Sequence, residues 1–191
     1  VIASYTWPNL FGGEMTLGGT ATYLDRYSVG PLVIGGKLDP KSAFEAAGKA
    51  NFLTVAYPLP RWRSQAYVNF STGIHNIRLT GRFTDSYIDQ RAGIFAYSAA
   101  QQTGTIAACG GNPPTVVSPA CGTQTNGRKI SAALLIDAAY RVRLPWNAEL
   151  TLAVANVFNR DPSFARTELS YDSLTGDPIG RTLKIGVRKR F

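Results

Sequence analysis

The sequence predicts an all-β fold: about seven antiparallel strands running as a meander in one open sheet, of the kind that forms part of a membrane β-barrel. Three observations predict it. Apolar and polar residues alternate along segments longer than most soluble strands. Short and long connections alternate between those segments. No run of about 18 apolar residues exists, which excludes a transmembrane helix on length.

The alternation is clearest in two places. Ile130, Ala132, Leu134, Ile136, Ala138, Tyr140, Val142 and Leu144 are successive alternate positions without a polar residue. Lys129, Ser131, Asp137, Arg141 and Arg143 lie among the positions between them. This pattern runs for about 15 residues, where soluble strands have about 5–6 and a tilted membrane strand needs about 9–11. The segment Arg181–Phe191 places Leu183, Ile185, Val187 and Phe191 on one parity, with Lys189 as the single intruder. Thr182, Lys184, Gly186, Arg188 and Arg190 take the other. A strand with one apolar and one wet face has this period of two.

The remaining strands follow in order. The first covers 1–7, with Val1, Ala3, Tyr5 and Trp7 on one side, and a turn at Pro8–Gly13 follows it. The second covers 14–27, with Met15, Leu17, Gly19, Ala21 and Tyr23 in alternation. The third covers 61–71 and sets Trp62, Ala66, Val68 and Phe70 against Arg63, Gln65, Tyr67 and Asn69. A tight turn at 72–76 leads to the fourth, 77–90, where Ile77, Leu79, Gly81 and Phe83 oppose Arg78, Thr80 and Arg82. After the long fifth strand, Pro145-Trp146-Asn147 makes a short turn, because proline fixes φ and cannot donate to a ladder. The sixth covers 149–158, with Leu150, Leu152, Val154 and Phe158 on the apolar parity. Asn156 shares that parity, and strict alternation would put its amide at a costly apolar position. A bulge or a hydrogen bond to the neighbouring strand would turn it away.

Long connections then cover 28–60, 91–127 and 159–180, all at one end of the sheet. Outer-membrane barrels have short periplasmic turns and long external loops. The aromatic residues fit that arrangement. Trp7, Trp146 and Phe191 fall at the short-turn end; Tyr23, Tyr27, Trp62, Tyr87 and Phe158 fall at the other. Two aromatic girdles are what membrane interfaces favour. Within the first long connection, Asp39–Gly48 reads as a short helix, with Asp39 as N-cap, Pro40 at the first helical position and Gly48 as the stop.

Composition narrows the function classes. Charged residues make up 17% of the 191 residues, against about 25% in soluble domains. The net charge of +8 is dispersed along the wet parity of the strands. It forms no compact basic patch, so nucleic acid is not an expected partner. Two cysteines and one histidine cannot supply the four ligands of a structural zinc site. Cys109 and Cys121 flank a Gly-, Pro-, Ser- and Thr-rich stretch and are expected to form a disulfide, which suits an oxidising compartment. No nucleophile elbow, P-loop or other catalytic constellation is present, so no enzyme activity and no cofactor are expected. His75 reads as a solvated turn residue. Arg63, Tyr67, Asn69, Arg78, Arg82, Asp137 and Arg141 share the wet parity and are the lumen-facing candidates. Contact with an anionic ligand or with a plug inside the barrel is the functional reading of these residues; ordinary solvation and wall salt bridges are the plain one.

The last hairpin carries a resemblance. Leu150-Thr-Leu-Ala-Val-Ala-Asn156-Val-Phe158-Asn159-Arg160-Asp161-Pro162 resembles the penultimate-strand motif of TonB-dependent outer-membrane receptors. Tyr171-Asp172, Gly180-Arg181 and the strand to Phe191 are similar to the rest of that family's C-terminal block. Pro60-Arg61-Trp62-Arg63 before Ala66-Tyr67-Val68-Asn69-Phe70 resembles the family's barrel. The resemblance implies that residues 1–191 are the C-terminal segment of a 22-stranded barrel, without its plug domain and its earlier strands. It implies TonB-energised uptake, across the bacterial outer membrane, of a scarce large solute: a ferric siderophore, cobalamin, haem or an oligosaccharide. The implied partners are outer-membrane lipid and lipopolysaccharide, the TonB complex through the missing N-terminal part, and the barrel assembly machinery, which would read Phe191 as its signal. A passive porin-like or adhesin-like barrel is the alternative.

Overall fold

A computed structural model describes residues 1–51, 57–89, 129–165, 167 and 169–190. In chain order its strands are β1 (Ile2–Leu10), β2 (Gly13–Tyr23), the short β3 (Ser28–Val29), β4 (Leu32–Ile34), β5 (Lys37–Asp39) and β6 (Phe44–Glu45), then β7 (Trp62–Thr72) and β8 (His75–Thr84). The short β9 (Tyr87–Ile88) and β10 (Lys129–Ile130) precede β11 (Ala133–Leu144), β12 (Ala148–Ala155) and β13 (Thr182–Lys189). Seven of them form one antiparallel sheet in the order β1-β2-β7-β8-β11-β12-β13, each long strand beside its sequence neighbour. The fold is therefore all-β, and the described residues contain no α-helix.

Three tight turns join the strands at one end. Phe11 and Gly12 both take positive φ, 53° and 74°, as a two-residue hairpin between right-twisted strands requires. Gly73, at φ 54°, opens the Gly73-Ile74 turn, and a side chain there would be strained. Pro145-Trp146-Asn147 closes the third hairpin between Leu144 and Ala148.

The register sorts side chains into two faces. Directly opposed residues of antiparallel strands point the same way. One row across all seven strands runs Tyr5, Leu17, Val68, Leu79, Ala138, Val154, Leu183. The next runs Trp7, Met15, Phe70, Ile77, Tyr140, Leu152, Ile185. Neither row contains a charge. The opposite face carries Thr6, Thr16, Asn69, Arg78, Ala139, Ala153 and Lys184 in one row. Among the described residues no second layer covers the apolar side: Leu79 is 49% exposed and Ile185 is 76% exposed.

The core lies elsewhere. Ala50, Tyr87, Ile130 and Ala165 form a buried cluster, and each belongs to a connection at the end of the sheet opposite the tight turns. Among the described residues, Val142 alone is a buried apolar residue of the main sheet. Among the described residues this excludes a sandwich with a core between two layers.

Several strand limits differ from expectation. The turn expected to start at Pro8 starts at Phe11, because β1 continues through Pro8 to Leu10. The register shifts between Trp7 and Leu10, and an edge strand with a bulge tolerates a residue that cannot donate. β8 stops at Thr84 rather than running to Gln90; Asp85 turns the chain, its Oδ1 accepting the Ser86 N–H at 2.7 Å. The long fifth strand is divided, since Lys129–Ile130 pairs with Tyr87–Ile88 before β11 begins at Ala133. The helix expected over Asp39–Gly48 does not form. Asp39 ends β5, a single 3₁₀ turn covers Pro40–Ser42, and Phe44–Glu45 pairs with Ser28–Val29. So short a helix is marginal alone, and here strand pairing supersedes it.

Candidate functional site: the polar face and the interlocked connections

The seven lumen-facing candidates all lie on the polar face, but as a chain of local contacts rather than one compact site. Arg63 stands opposite Thr22 and Thr84 near the long connections, donating to the Pro58 carbonyl oxygen at 3.2 Å. Tyr67 lies flat over Gly18, whose hydrogen leaves room that a Cβ would occupy only 2.6 Å from the ring. The Arg78 guanidinium stacks on that ring as well, 4.0 Å from its centroid. Asn69 Oδ1 accepts from Asn76 Nδ2 at 3.0 Å, and the same amide donates to Ser71 Oγ at 2.7 Å. Arg141 Nε sits 3.5 Å from Glu149 Oε1, one strand over.

Arg82 and Asp137 form the strongest pair. Arg82 Nε donates to Oδ2 at 2.8 Å and a terminal nitrogen donates to Oδ1 at 3.2 Å, the two-pronged geometry that guanidinium and carboxylate favour. Asp137 Oδ1 also accepts the Asn156 backbone N–H at 2.9 Å. Asn156 follows the last residue of β12 with φ 52°, a left-handed conformation that asparagine tolerates. Its side chain then leaves the apolar parity: Nδ2 donates to the Arg160 carbonyl oxygen at 2.8 Å, and Oδ1 accepts the Arg160 N–H at 2.9 Å. Arg160 reaches back to the Ala132 carbonyl oxygen at 2.8 Å. Asn159, also left-handed, accepts the Arg181 N–H at 2.9 Å. The Asn-Val-Phe-Asn-Arg segment is thus a knot that fixes both stems of the last connection.

The three connections interlock. The Ala50 N–H donates to the Ile88 carbonyl oxygen and the Ile88 N–H donates to the Gly48 carbonyl oxygen, each at 2.9 Å. Tyr87 Oη donates to Asp172 Oδ2 at 2.6 Å and lies 2.6 Å from Thr175 Oγ1. Tyr87 and Asp172 are both buried. Burial, then the Asp172 carboxylate, pushes the Tyr87 phenol well above its ordinary 10.0. In the first connection Glu45 accepts the N–H groups of Tyr27 and Ala47 at 2.7 and 3.0 Å. The Tyr27 bond is the main reason its carboxyl lies below the usual range.

One residue is corrected. His75 is exposed, as expected, but it is not a turn residue: it begins β8, and its Nδ1 lies 2.6 Å from Tyr140 Oη with the rings stacked. The tight turn is shorter than expected, which draws His75 into the ladder beside β11. Cys109, Cys121 and Phe191 lie outside the described residues. Sequence reasoning missed Tyr87 and Asp172 as a pair; no spacing rule links residues so far apart in the chain. It singled out Asn156 by its parity conflict, and that conflict was the usable signal. Among the described residues no His, Cys, Asp and Glu cluster could hold a metal ion. In comparison with known proteins, the chain matches no family model, no curated protein and no solved structure.

Proposed function

We propose that this sheet is part of the wall of an outer-membrane β-barrel of the TonB-dependent receptor type, and that the whole protein takes up a scarce, large solute. The observation that carries the reading is the partition of side chains across a single-layer sheet. The rows from Tyr5 to Leu183 and from Trp7 to Ile185 leave a continuous apolar surface uncovered. Water penalises such a surface by about 25 cal/mol per Å², whereas hydrocarbon removes the penalty. The polar face, with Arg63, Tyr67, Asn69, Arg78, Arg82, Asp137 and Arg141, then lines the lumen. The tight turns face the periplasm and the interlocked connections face outward. The edges of β1 and β13 close on further strands. The motif Asn156-Val-Phe-Asn-Arg160 and the strand to Phe191 supply the likeness to this receptor type. Outer-membrane lipid, lipopolysaccharide, the TonB complex and the barrel assembly machinery are the partners that follow.

Two measurements test this. In outer-membrane fractions the full-length protein should run as a compact, heat-modifiable band, and recovery as a soluble protein overturns the membrane reading. Uptake of labelled ferric siderophores, cobalamin, haem and oligosaccharides should fall when the protein is deleted and equally when TonB is deleted. Uptake that survives loss of TonB would instead identify a passive porin.

A further inference from the structure

Three arginines at the tight-turn end of the polar face are left over by the ion pairs described above. Arg143 and Arg188 flank Glu149 directly across three strands, in the register Arg143, Glu149, Arg188. Arg190 shares the parity of Arg188, and its backbone N–H donates to the Asn147 carbonyl oxygen at 3.1 Å. These residues border an open cavity of about 400 Å³. The one carboxylate there is already engaged, with Glu149 Oε1 beside Arg141 Nε at 3.5 Å. Among the described residues, Arg143, Arg188 and Arg190 have no ion-pair partner. The cavity lining carries three arginines against one carboxylate, and a bound anion would offset that excess of positive charge.

We propose that this cradle binds a compact oxyanion with two or more negative charges, of the phosphate and pyrophosphate class. Guanidinium forks match the oxygen spacing of phosphate and donate two bonds at a time. Arg143 and Arg188 stand two strand spacings apart, roughly 9–10 Å at the backbone. A pyrophosphate spans that gap better than a single phosphate, so it is the tighter ligand. The site goes beyond solute uptake and rests on the cradle's geometry alone, so its failure leaves the barrel reading untouched.

The test is calorimetric titration of the full-length protein, in phosphate-free nonionic detergent at low ionic strength, with inorganic pyrophosphate, inorganic phosphate and glycerol phosphate. Pyrophosphate should saturate one site per chain, more tightly than phosphate, and weaken as salt is raised. Binding of glycerol phosphate as well would assign the site to a phosphoryl group on a carrier; its failure to bind would assign the free ion. R143Q and R188Q should each weaken binding about tenfold, the worth of a charge-assisted hydrogen bond. R188K should lose less, and K37Q, in the β4–β5 hairpin, should lose nothing. Pyrophosphate should also shield Arg143 and Arg188 of the unmutated protein from phenylglyoxal, read by peptide mass spectrometry. Absence of saturable binding, unchanged binding in both glutamine variants, or lack of shielding overturns the proposal, the last even if a variant fails to fold.

Discussion

Gly18 and Tyr87, one in the main sheet and one in a connection, illustrate how much a single position can decide. Gly18 serves as a seat for Tyr67, and Tyr67 as a seat for Arg78. Gly18→Ala should unseat the ring and cost about 1 kcal/mol, the usual worth of an exposed cation–π contact. A thermal melt would read that loss. With Tyr67→Leu already in place, the further change Gly18→Ala should cost much less. Tyr87 matters more, because its hydroxyl is buried against Asp172 and Thr175. Tyr87→Phe leaves a buried carboxylate short of a donor and should destabilise the connections by about 1–3 kcal/mol. Faster amide exchange at Ala50 and Ile88 would report it. The pH dependence has a definite sign. The phenol of the folded protein holds its proton more tightly than an unfolded tyrosine at 10.0, so its contribution is complete below about pH 10. It is lost as pH rises through the raised folded value, and Tyr87→Phe should abolish that alkaline step.

At the scale of elements, the seven long strands were legible in the sequence; their ends and the short strands β3, β4, β5, β6, β9 and β10 were not. The alternation around Leu134–Leu144 and Leu183–Val187 reports burial demand on one face, which is a local property. The ends are decided by partners far along the chain. β12 stops at Ala155 because Asp137 and Arg160 capture Asn156. β11 starts late because Ile130 is drawn into the core of the connections. The failed helix over 39–48 has the same origin, since Glu45 answers Tyr27 and Ala47 rather than a helical turn. The polar parity located the candidate residues, but not that Arg82 and Asp137 also brace the last connection. Asp137→Asn should weaken that brace by about 1–2 kcal/mol, allowing for the partial exposure of Arg82. Hydrogen exchange should rise across Asn156–Arg181 while β7 and β8 stay protected. Equal exchange in both regions would show that Asp137 serves only the ladder.

For the molecule as a whole, the two faces are the organising fact. If the apolar face meets hydrocarbon, a charge at its middle should cost about 2–4 kcal/mol. Leu79→Arg and Ile185→Arg should therefore lower the yield of heat-modifiable protein in outer-membrane fractions. Thr80→Arg and Thr151→Arg, on the opposite face, should assemble near the unmutated yield. Indifference of both faces to charge would mean that the sheet lies in water. The seven-strand rows also set what the gene can change. A single inserted residue inside β7 would reverse the facing of everything beyond it in that strand, sending Asn69 to the apolar side and Val68 to the polar side. Every row through that strand would break at once. Substitution leaves the rows standing; a frame of one residue does not. Length variation is thus confined to the segments between strands, and the distance from Trp62 to Thr72 is harder to alter than any side chain it carries.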